Sequence, residues 1–210
     1  MKSSAQVVII GGGSLGVSLL YHLAEEGWND VILIEKGELT SGSTWHAAGL
    51  CSNFIGNMTV AKIHNYSIRL YDEILPSQSG NPSAFHKCGS LRVGYSRIEE
   101  EWFRHLSSRS KNVPCEFNII SKDEAKNLHP FMNFENARII VNTPNDGHVD
   151  PSSVVMTMSQ IATSKGSKIS RFNRVKDIKK IQSGEWKVIT EKGSIIAEHV
   201  VNAAGCFAPE

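Results

Sequence analysis

The sequence contains no long hydrophobic run, no excess of charge of one sign and no leader-like N-terminus. Its first apolar run, residues 7–10, is far too short for a membrane span, which needs about 20 apolar residues. The formal net charge is +1, so neither a nucleic acid nor a membrane surface is favoured as a partner. Because no signal-peptide or transit-peptide layout precedes residue 7, we expect a cytoplasmic protein, or a mitochondrial-matrix protein if a transit peptide is missing.

Cysteines and clustered metal ligands are also scarce. The four cysteines have neither zinc-site spacing nor a dense disulfide pattern, so reduced thiols are expected. They are Cys51, Cys88, Cys115 and Cys206. Several histidines share no spacing typical of a metal site, namely His64, His86, His105 and His129. We therefore predict no bound metal.

The chain opens with the pattern of a strand, a tight turn, a helix and a second strand. Residues 7–10 and 31–34 are short β-branched runs, typical of buried parallel strands. Between them, helical spacing places Leu15, Leu19, Leu20 and Leu23 on one side, and Gly27 is a natural stop. Together these segments predict a βαβ unit.

The rest of the chain predicts a mixture of helices and short strands. Helices are expected at residues 59–75, 98–108, 122–128 and 151–164, with a loop at residues 76–83. Extended segments are expected within residues 85–95 and 117–120, and residues 137–151 are expected to form a strand followed by a turn. Short runs at residues 169–172, 175–181, 186–190 and 194–197 predict an antiparallel meander, and residues 199–205 predict a further central strand.

The first turn carries a G-x-G-x-x-G motif at Gly11, Gly13 and Gly16, around Ser14 and Leu15. Such glycines permit a tight turn, let a pyrophosphate approach the backbone, and let the helix pack on the strand. The free N–H groups of the helix N-terminus then attract the anion.

Glu35 ends the second strand at the spacing where an acid binds a ribose diol, about 20 residues after the glycines. The turn, spacing and acid together predict a dinucleotide site for FAD or NAD, and the motif does not separate these two. The alternative is a glycine-rich turn beside a solvated glutamate.

Residues 40–50, TSGSTWHAAGL, with the preceding IEKGEL, resemble the flavin-attachment region of the dimethylglycine and sarcosine dehydrogenases. These are amine-oxidising flavoproteins related to the D-amino-acid oxidases. Four later segments resemble the same family in the same order, so the resemblance covers essentially the whole chain. They are HNYSIRLYDEI, GSLRVGYS, NDGHVDPSSVVMTM and VVNAAGCFA.

The resemblance implies that His46 is bonded covalently to the 8α-methyl of FAD. It further implies that Val175 holds the adenine through its backbone, and that a later turn lies near the cofactor. The full set of predicted cofactor-binding residues is Gly11, Gly13, Ser14, Leu15, Gly16, Glu35, Lys36, Ser43, Thr44, His46, Ala47, Ala48, Gly49, Leu50, Val175, Ala203, Ala204 and Gly205.

Chemistry supports the His46 assignment, because a neutral imidazole nitrogen is a nucleophile. The small residues around it let backbone pass close to a flavin. The alternative for His46 is a hydrogen-bonded loop histidine. Trp45 either shields the dimethylbenzene edge of the flavin or is a core aromatic. His148 is a candidate for approaching substrate, whereas we expect Asp150 to cap the helix that begins at Pro151.

The resemblance implies an α/β fold: a Rossmann-like parallel sheet that binds FAD, an antiparallel meander, and an incomplete α+β substrate domain. Residues 1–50 and 151–210 are assigned to an FAD-binding domain that is incomplete at its C-terminus. Residues 51–150 are assigned to the first part of the substrate domain. Members of the family are much longer, so most catalytic residues are expected outside this sequence and none is identified within it.

The implied activity is oxidation of the N-methyl C–N bond of dimethylglycine or sarcosine, with hydride transfer to covalent FAD. The electron acceptor is an electron-transfer flavoprotein or oxygen, and tetrahydrofolate is a cofactor only in a full-length relative. Two alternatives stay open. One is a catalytically inactive fragment or regulatory relative, and the other is an NAD-dependent dehydrogenase.

Overall fold

A computed structural model describes residues 3–109 and 115–208, which divide into two compact units. The first unit runs through Ala48, includes Ser77–Asn81, and resumes at Asp150. The second unit comprises Gly49–Pro76 and Pro82–Val149. The short stretch Ser77–Asn81 thus packs with the first unit, although it lies inside the range assigned to substrate binding.

Strands and helices alternate along the chain. The strands are β1 Ser4–Ile10, β2 Val31–Ile34, β3 Leu50–Cys51, β4 Phe85–His86, β5 Ser90–Gly94, β6 Asn118–Ile119, β7 Ile139–Thr143, β8 Gly147–Val149, β9 Lys168–Ser170, β10 Val175–Lys180, β11 Trp186–Thr190 and β12 Gly193–Asn202. The helices are α1 Ser14–Glu25, α2 Met58–Arg69, α3 Leu75–Ser79, α4 Arg97–Arg109, α5 Lys122–Leu128 and α6 Pro151–Ser164. A π-helical turn, Leu70–Ile74, connects α2 to α3.

The first unit is built on one six-stranded sheet in the order β10-β11-β12-β1-β2-β9. Strands β12, β1, β2 and β9 run parallel, whereas β10, β11 and the first part of β12 form an antiparallel meander. The β-branched residues of the central strands are buried on both faces, as a parallel sheet covered by helices requires. This α/β arrangement confirms the predicted fold class.

Helix α1 packs against α6 on the sheet of the first unit. Its buried residues are Gly16, Val17, Leu20, Tyr21 and Ala24. The leucine stripe expected from the sequence is therefore only partly right, because Leu15 is 76% exposed. Leu15 lies in the first turn of the helix, beside the glycine turn, and lines the cavity described below.

Three further expectations are corrected by strand pairing and helix bounds. β9 does not belong to the meander, because it pairs in parallel with β2. The run at residues 194–197 and the first four residues of the run predicted at 199–205 belong to one strand, β12, which leaves the meander and continues beside β1. Residues 203–205 lie beyond the end of that strand. The helix predicted at residues 59–75 is extended by α3 into part of the predicted loop.

The second unit contains two small sheets, in the orders β3-β8-β4 and β5-β7-β6. Its aromatic core joins Phe54 and Phe103, whose ring centroids are 5.0 Å apart. Buried Asp146 organises the adjoining loops by accepting hydrogen bonds from Asn53 and from hydroxyl groups. The hydroxyl donors are Ser52, Ser90 and Thr143, at 3.0, 2.7 and 2.6 Å.

Helix termini follow the expected capping chemistry. Asp150 accepts hydrogen bonds from the backbone N–H groups of Ser152 and Ser153, which confirms the predicted cap of α6. Asn57 caps α2 in the same way. No helix in the described part of the chain is long and apolar enough to cross a membrane.

Candidate functional site: a cavity at the carboxyl ends of the parallel strands

The carboxyl ends of three adjacent strands lie at one edge of the first unit's sheet. Ile10 of β1 is in register with Ile34 of β2 on one side and with Asn202 of β12 on the other. The loops that follow these strands therefore leave the sheet side by side. In open α/β sheets this edge is where ligands bind.

The glycine turn after β1 is too tightly packed for side chains. Gly11 has φ +112°, and a Cβ there would collide with the carbonyl oxygen of Ala203. A Cβ at Gly16 would collide with the carbonyl oxygen of Gly11, and one at Gly13 would lie 3.1 Å from Thr44 Oγ1. These contacts bring three loops together at the N-terminus of α1.

The carboxylate of Glu35 is held by two backbone donors. Gly12 N–H donates to Oε2 and Gly37 N–H donates to Oε1, each at 2.7 Å. Two hydrogen bonds fix both oxygens while leaving each with unused acceptor capacity. Glu35 therefore links the glycine turn to the loop after β2 and remains able to accept further donors from a ligand.

The segment predicted to surround a flavin folds back onto the glycine turn. Thr40, with φ +66°, donates its N–H to the carbonyl oxygen of Gly12 at 3.0 Å. Four residues later, Thr44 Oγ1 accepts a hydrogen bond from the Ser14 N–H at 3.0 Å. Thr44 therefore lies at the end of α1 where unpaired N–H groups attract anions.

These loops enclose a cavity of about 820 Å³ within the first unit. That volume is in the range of about 300–1,000 Å³ usual for sites of small molecules and cofactors. Its lining consists of Ile10, Gly11, Gly12, Gly13, Ser14, Leu15, Ile34, Glu35, Lys36, Thr40, Ser41, Gly42, Ser43, Thr44, Asn173, Arg174, Val175, Lys176, Asp177, Ile178, Glu191, Asn202, Ala203, Ala204, Gly205, Cys206, Phe207 and Ala208.

Most of the residues that the sequence assigned to a cofactor line this cavity. They are Gly11, Gly13, Ser14, Leu15, Glu35, Lys36, Ser43, Thr44, Val175, Ala203, Ala204 and Gly205. Six others lie outside its lining: Gly16, His46, Ala47, Ala48, Gly49 and Leu50. Gly16 is buried beneath the turn, whereas His46, Ala47, Ala48 and Leu50 are exposed. Their roles stay predictions.

His46 is the last residue of a 3-10 turn, Ser43–His46, whose first two residues line the cavity. Its Nδ1 lies 3.1 Å from the carbonyl oxygen of Gly42. Its ring packs at a tilt against that of Trp45, with centroids 3.8 Å apart and planes at 35°. Trp45 is 57% exposed, which contradicts the alternative that it is a core aromatic.

The meander contributes a side of the cavity that the sequence did not reveal beyond Val175. Asn173 is fully buried and holds the loop before β10 by accepting the N–H of Lys192 on its side-chain oxygen. The pairing of β10 with β11 shifts register between Val175 and Asp177. Arg174, Glu191 and Phe207 also line the cavity. No motif marks these residues, because they reach the cavity only through the pairing of distant strands.

Lys36 and Phe207 come together at the cavity although they are far apart in the sequence. The Lys36 ammonium nitrogen lies 2.9 Å from the centroid of the Phe207 ring, a cation–π contact. Phe207 belongs to the 3-10 turn Gly205–Phe207 after β12. The Asn202 side chain accepts the Ala204 N–H at 3.1 Å, which shapes the chain between strand and turn.

The second unit carries a separate pair of histidines. His86 on β4 and His148 on β8 are direct cross-strand partners, and their rings stack with centroids 5.0 Å apart. Across residues 3–109 and 115–208, no group of three or more His, Cys, Asp or Glu side chains could hold a metal ion. The four cysteines are free thiols, as predicted.

The sequence and fold both resemble those of known flavoproteins. The chain is 40% identical to mitochondrial dimethylglycine dehydrogenase of Mus musculus, over all of this chain and 24% of the relative. It is 31% identical to mitochondrial sarcosine dehydrogenase of Homo sapiens, over 99% of this chain and 23% of the relative. The structure of L-proline dehydrogenase from P. horikoshii matches all of this chain and 55% of its own, with TM-score 0.90 and 25% identity.

The chain thus spans about a quarter of the length of these curated relatives. Residues 6–210 match the family model described as DAO, FAD dependent oxidoreductase. This match includes the glycine turn, Glu35 and every other part of the cavity. The chain therefore belongs to the DAO family of FAD-dependent oxidoreductases.

Proposed function

We propose that the cavity of the first unit binds FAD, with its pyrophosphate at the N-terminus of α1 and its adenosine ribose at Glu35. The observation that carries this proposal is the packing of the glycine turn, where a Cβ at Gly11 or Gly16 would collide with backbone carbonyl groups. The Thr44 hydroxyl lies there as well: its oxygen accepts the Ser14 N–H, and its own O–H can donate to an anion. The residues present therefore fit a dinucleotide.

Glu35 gives the site its preference for an unphosphorylated ribose. Its carboxylate is fixed by Gly12 and Gly37, so its remaining lone pairs point in set directions toward ligand hydroxyls. A 2′-phosphate would place a second negative charge beside this carboxylate. FAD is preferred over NAD here because of the family to which the chain belongs.

The predicted adenine contact at Val175 is supported by the irregular strand pairing. A register shift leaves backbone groups outside the regular ladder, and this one falls between Val175 and Asp177. Val175 also lines the cavity. We propose that backbone groups at this shift bind the adenine edge.

We propose that His46 forms the covalent bond to FAD. A carbonyl oxygen only accepts hydrogen bonds, so the contact with Gly42 assigns the ring proton to Nδ1. Nε2 then carries the lone pair and is the nucleophilic nitrogen. His46 is two residues from Thr44 in the same 3-10 turn, Ser43–His46, so it lies close to the cavity that Thr44 lines.

The proposed reaction of the whole protein is oxidation of an N-methyl C–N bond in dimethylglycine or sarcosine. FAD supplies the acceptor for a hydride when bound. In this chain, the glycine turn, Glu35 and the segment containing His46 bind and orient the cofactor. This chain covers about a quarter of the curated relatives, so substrate-binding and catalytic residues are proposed to lie mostly in the remaining sequence.

We propose that the electron acceptor of the whole protein is an electron-transfer flavoprotein or oxygen, and that tetrahydrofolate binds only in a longer form. The curated relatives carry the word mitochondrial in their names, which supports a mitochondrial location over the cytoplasmic one expected from the sequence. A catalytically inactive or regulatory form of this chain remains the second candidate. An NAD-dependent dehydrogenase does not fit the FAD-dependent family.

The attachment proposal is tested by in-gel flavin fluorescence after denaturation. The protein is purified with added FAD, and the wild type is compared with His46→Ala. His105→Ala is the matched control, because His105 is an exposed histidine on α4 in the second unit. Fluorescence should stay with the wild type and the control, and be lost from His46→Ala.

Two other results would contradict the proposal in different ways. A fluorescent His46→Ala band would show that the flavin is attached to a residue other than His46. A dark wild-type band would leave only dissociable FAD, which fluorescence quenching of FAD in solution would detect. Absence of both covalent and dissociable flavin would overturn the cofactor site itself.

A further inference from the structure

We propose that Trp45 is a positioning residue, which stacks on His46 and holds its imidazole in the orientation needed for attachment to FAD. The inference rests on the proposed attachment at His46. It assigns Trp45 a function other than shielding the flavin edge.

The first support is the geometry of the ring pair. The centroids of Trp45 and His46 are 3.8 Å apart with the planes at 35°, so the rings partly overlap in a tilted arrangement. Adjacent residues in helical turns normally point their side chains in different directions. The overlap therefore requires both side chains to turn toward each other in the 3-10 turn Ser43–His46.

The rings of Trp45 and His46 are both exposed to solvent. Trp45 is 57% exposed and His46 is also exposed, so burial does not fix either ring. An exposed imidazole would otherwise sample several rotamers. Two contacts hold it: Nδ1 donates to the Gly42 carbonyl oxygen, and the ring packs at a tilt against Trp45.

Neither contact uses Nε2. The hydrogen bond fixes the tautomer and one axis of the ring, and the stack fixes its plane. Nε2 is left with its lone pair in a defined direction, which is the condition for efficient attack within a bound complex. Trp45 thus acts on the reaction through His46, without itself supplying or receiving a proton.

Covalent attachment of His46 to FAD is an oxidation. The Nε2–C8α bond forms, and one hydrogen is lost from C8α and one from the imidazole N–H. Both leave as protons, and the two electrons pass to dissolved oxygen, which yields hydrogen peroxide. Attachment therefore needs oxygen but no further protein group as oxidant.

The stack itself is tested on the protein without FAD. The His46 ring protons should be shifted upfield in NMR spectra by the tryptophan ring current, and the shift should vanish in Trp45→Ala and Trp45→Leu. Trp45→Phe should keep part of it. If the ring protons of the wild type are unshifted, the stack is absent and the proposal is wrong.

The consequence is tested by the rate of covalent incorporation at saturating FAD. Stacking energies of aromatic pairs predict roughly three- to tenfold slower incorporation in Trp45→Ala and Trp45→Leu. Trp45→Phe should restore much of the rate. FAD affinity, measured in a His46→Ala background to exclude covalent binding, should not change when Trp45 is also replaced.

Phe131→Ala is the matched control. Phe131 is another exposed aromatic beside a histidine, with its ring 6.4 Å from that of His129. It does not line the cavity. It should leave the incorporation rate unchanged.

The outcomes separate this inference from the proposed function. Wild type and Trp45→Ala with equal rates would overturn the positioning role while leaving attachment at His46 intact. A Trp45→Phe variant as slow as Trp45→Ala would overturn it too. A wild type without covalent flavin would overturn the proposed attachment, and the role of Trp45 with it.

Discussion

The Glu35 carboxylate accepts the backbone N–H of Gly12 at 2.7 Å, so the acid after the second strand directly fixes the glycine turn after the first. A second bond, from the Gly37 N–H, fixes the other oxygen. The two sequence signals of a dinucleotide site are therefore one connected structure. Replacing Glu35 or a glycine of the turn should therefore affect both the conformation of the turn and the binding of FAD.

Replacing Glu35 by Gln should weaken FAD binding by about tenfold or more, because an amide group would direct N–H donors at a backbone N–H. Titration of flavin fluorescence measures the change. Glu38→Gln is the control, since the Glu38 carboxylate pairs with Arg171 and does not line the cavity. Equal affinity in Glu35→Gln and wild type would argue against Glu35 as a cofactor-binding residue.

Replacing Gly16 by Ala should strongly reduce FAD binding and lower stability by about 1–3 kcal/mol, because the added Cβ collides with the Gly11 carbonyl oxygen. Gly56→Ala is the control, because its nearest neighbour would be an ordinary contact at 3.7 Å. Chemical denaturation and FAD titration measure the two effects. Normal binding by Gly16→Ala would show that the helix can move away from the turn.

Removing Asp146 should destabilise the second unit by about 3 kcal/mol, because Asp146→Ala leaves several buried donors without an acceptor. Asp146 is 1% exposed and accepts from Asn53 and from three hydroxyl groups. Urea denaturation measures the loss. Asp177→Asn, at an exposed pair with Lys179, should have a much smaller effect.

Asp150 predicts a pH-dependent contribution to stability. Its pKa lies below its ordinary value of 3.8 because of the Ser153 hydroxyl, and the backbone N–H groups of Ser153 and Ser152 lower it further. A lowered pKa in the folded state gives stability that is present above the unfolded pKa and lost as pH falls through the folded value.

Asp150→Asn keeps an acceptor at the cap but does not titrate, so its stability should fall less than that of wild type below about pH 4. Asp150→Ala should cost about 1 kcal/mol at neutral pH. Thermal denaturation across the acid range measures both. Parallel pH profiles for wild type and Asp150→Asn would contradict the assigned titration.

The four thiols should react at different rates with iodoacetamide. Burial, then Asp146 and Glu116, raises the pKa of Cys115 to about 12, and burial followed by Asp146 raises that of Cys51. Thiolates of these two are scarce near neutral pH, so they should react slowly. Exposed Cys88 and Cys206 should be labelled first.

FAD should protect Cys206 but not Cys88, because only Cys206 lines the cavity. Peptide mass spectrometry measures labelling at each site. Rapid labelling of Cys115 would contradict its raised pKa. Unprotected Cys206 would argue against FAD in this cavity.

Local sequence patterns predicted the parts of the fold that depend on neighbouring residues. The buried strand at residues 31–34 follows from a β-branched run, and the Asp150 cap of α6 follows from an acid before a proline at the first helical turn. The helix at residues 122–128 was also predicted with its observed bounds. The glycine spacing and Glu35 likewise marked one edge of the cavity. Each signal lies within a short stretch of chain.

Strand pairing was less predictable, because it depends on residues far apart in the sequence. β9 falls in a short run that the sequence grouped with the meander strands, yet it pairs in parallel with β2. The leucine spacing in α1 predicted burial only partly correctly, because burial depends on which face of the helix packs against α6. Spacing alone does not show which face that is. Register at Val175 is likewise a property of the pair β10 and β11.

The sequence by itself determined the glycine turn and the acid that follows β2, because local backbone sterics and short-range spacing specify them. The segment around His46 was singled out by its resemblance to the flavin-attachment region of the family. Only the tertiary structure decided that Asn173, Glu191 and Phe207 line the same cavity as the glycine turn and Glu35. It also decided that the exposed ring of Trp45 contacts the ring of His46. Long-range strand pairing and side-chain packing bring these groups together. Neither leaves a periodic signal in the chain.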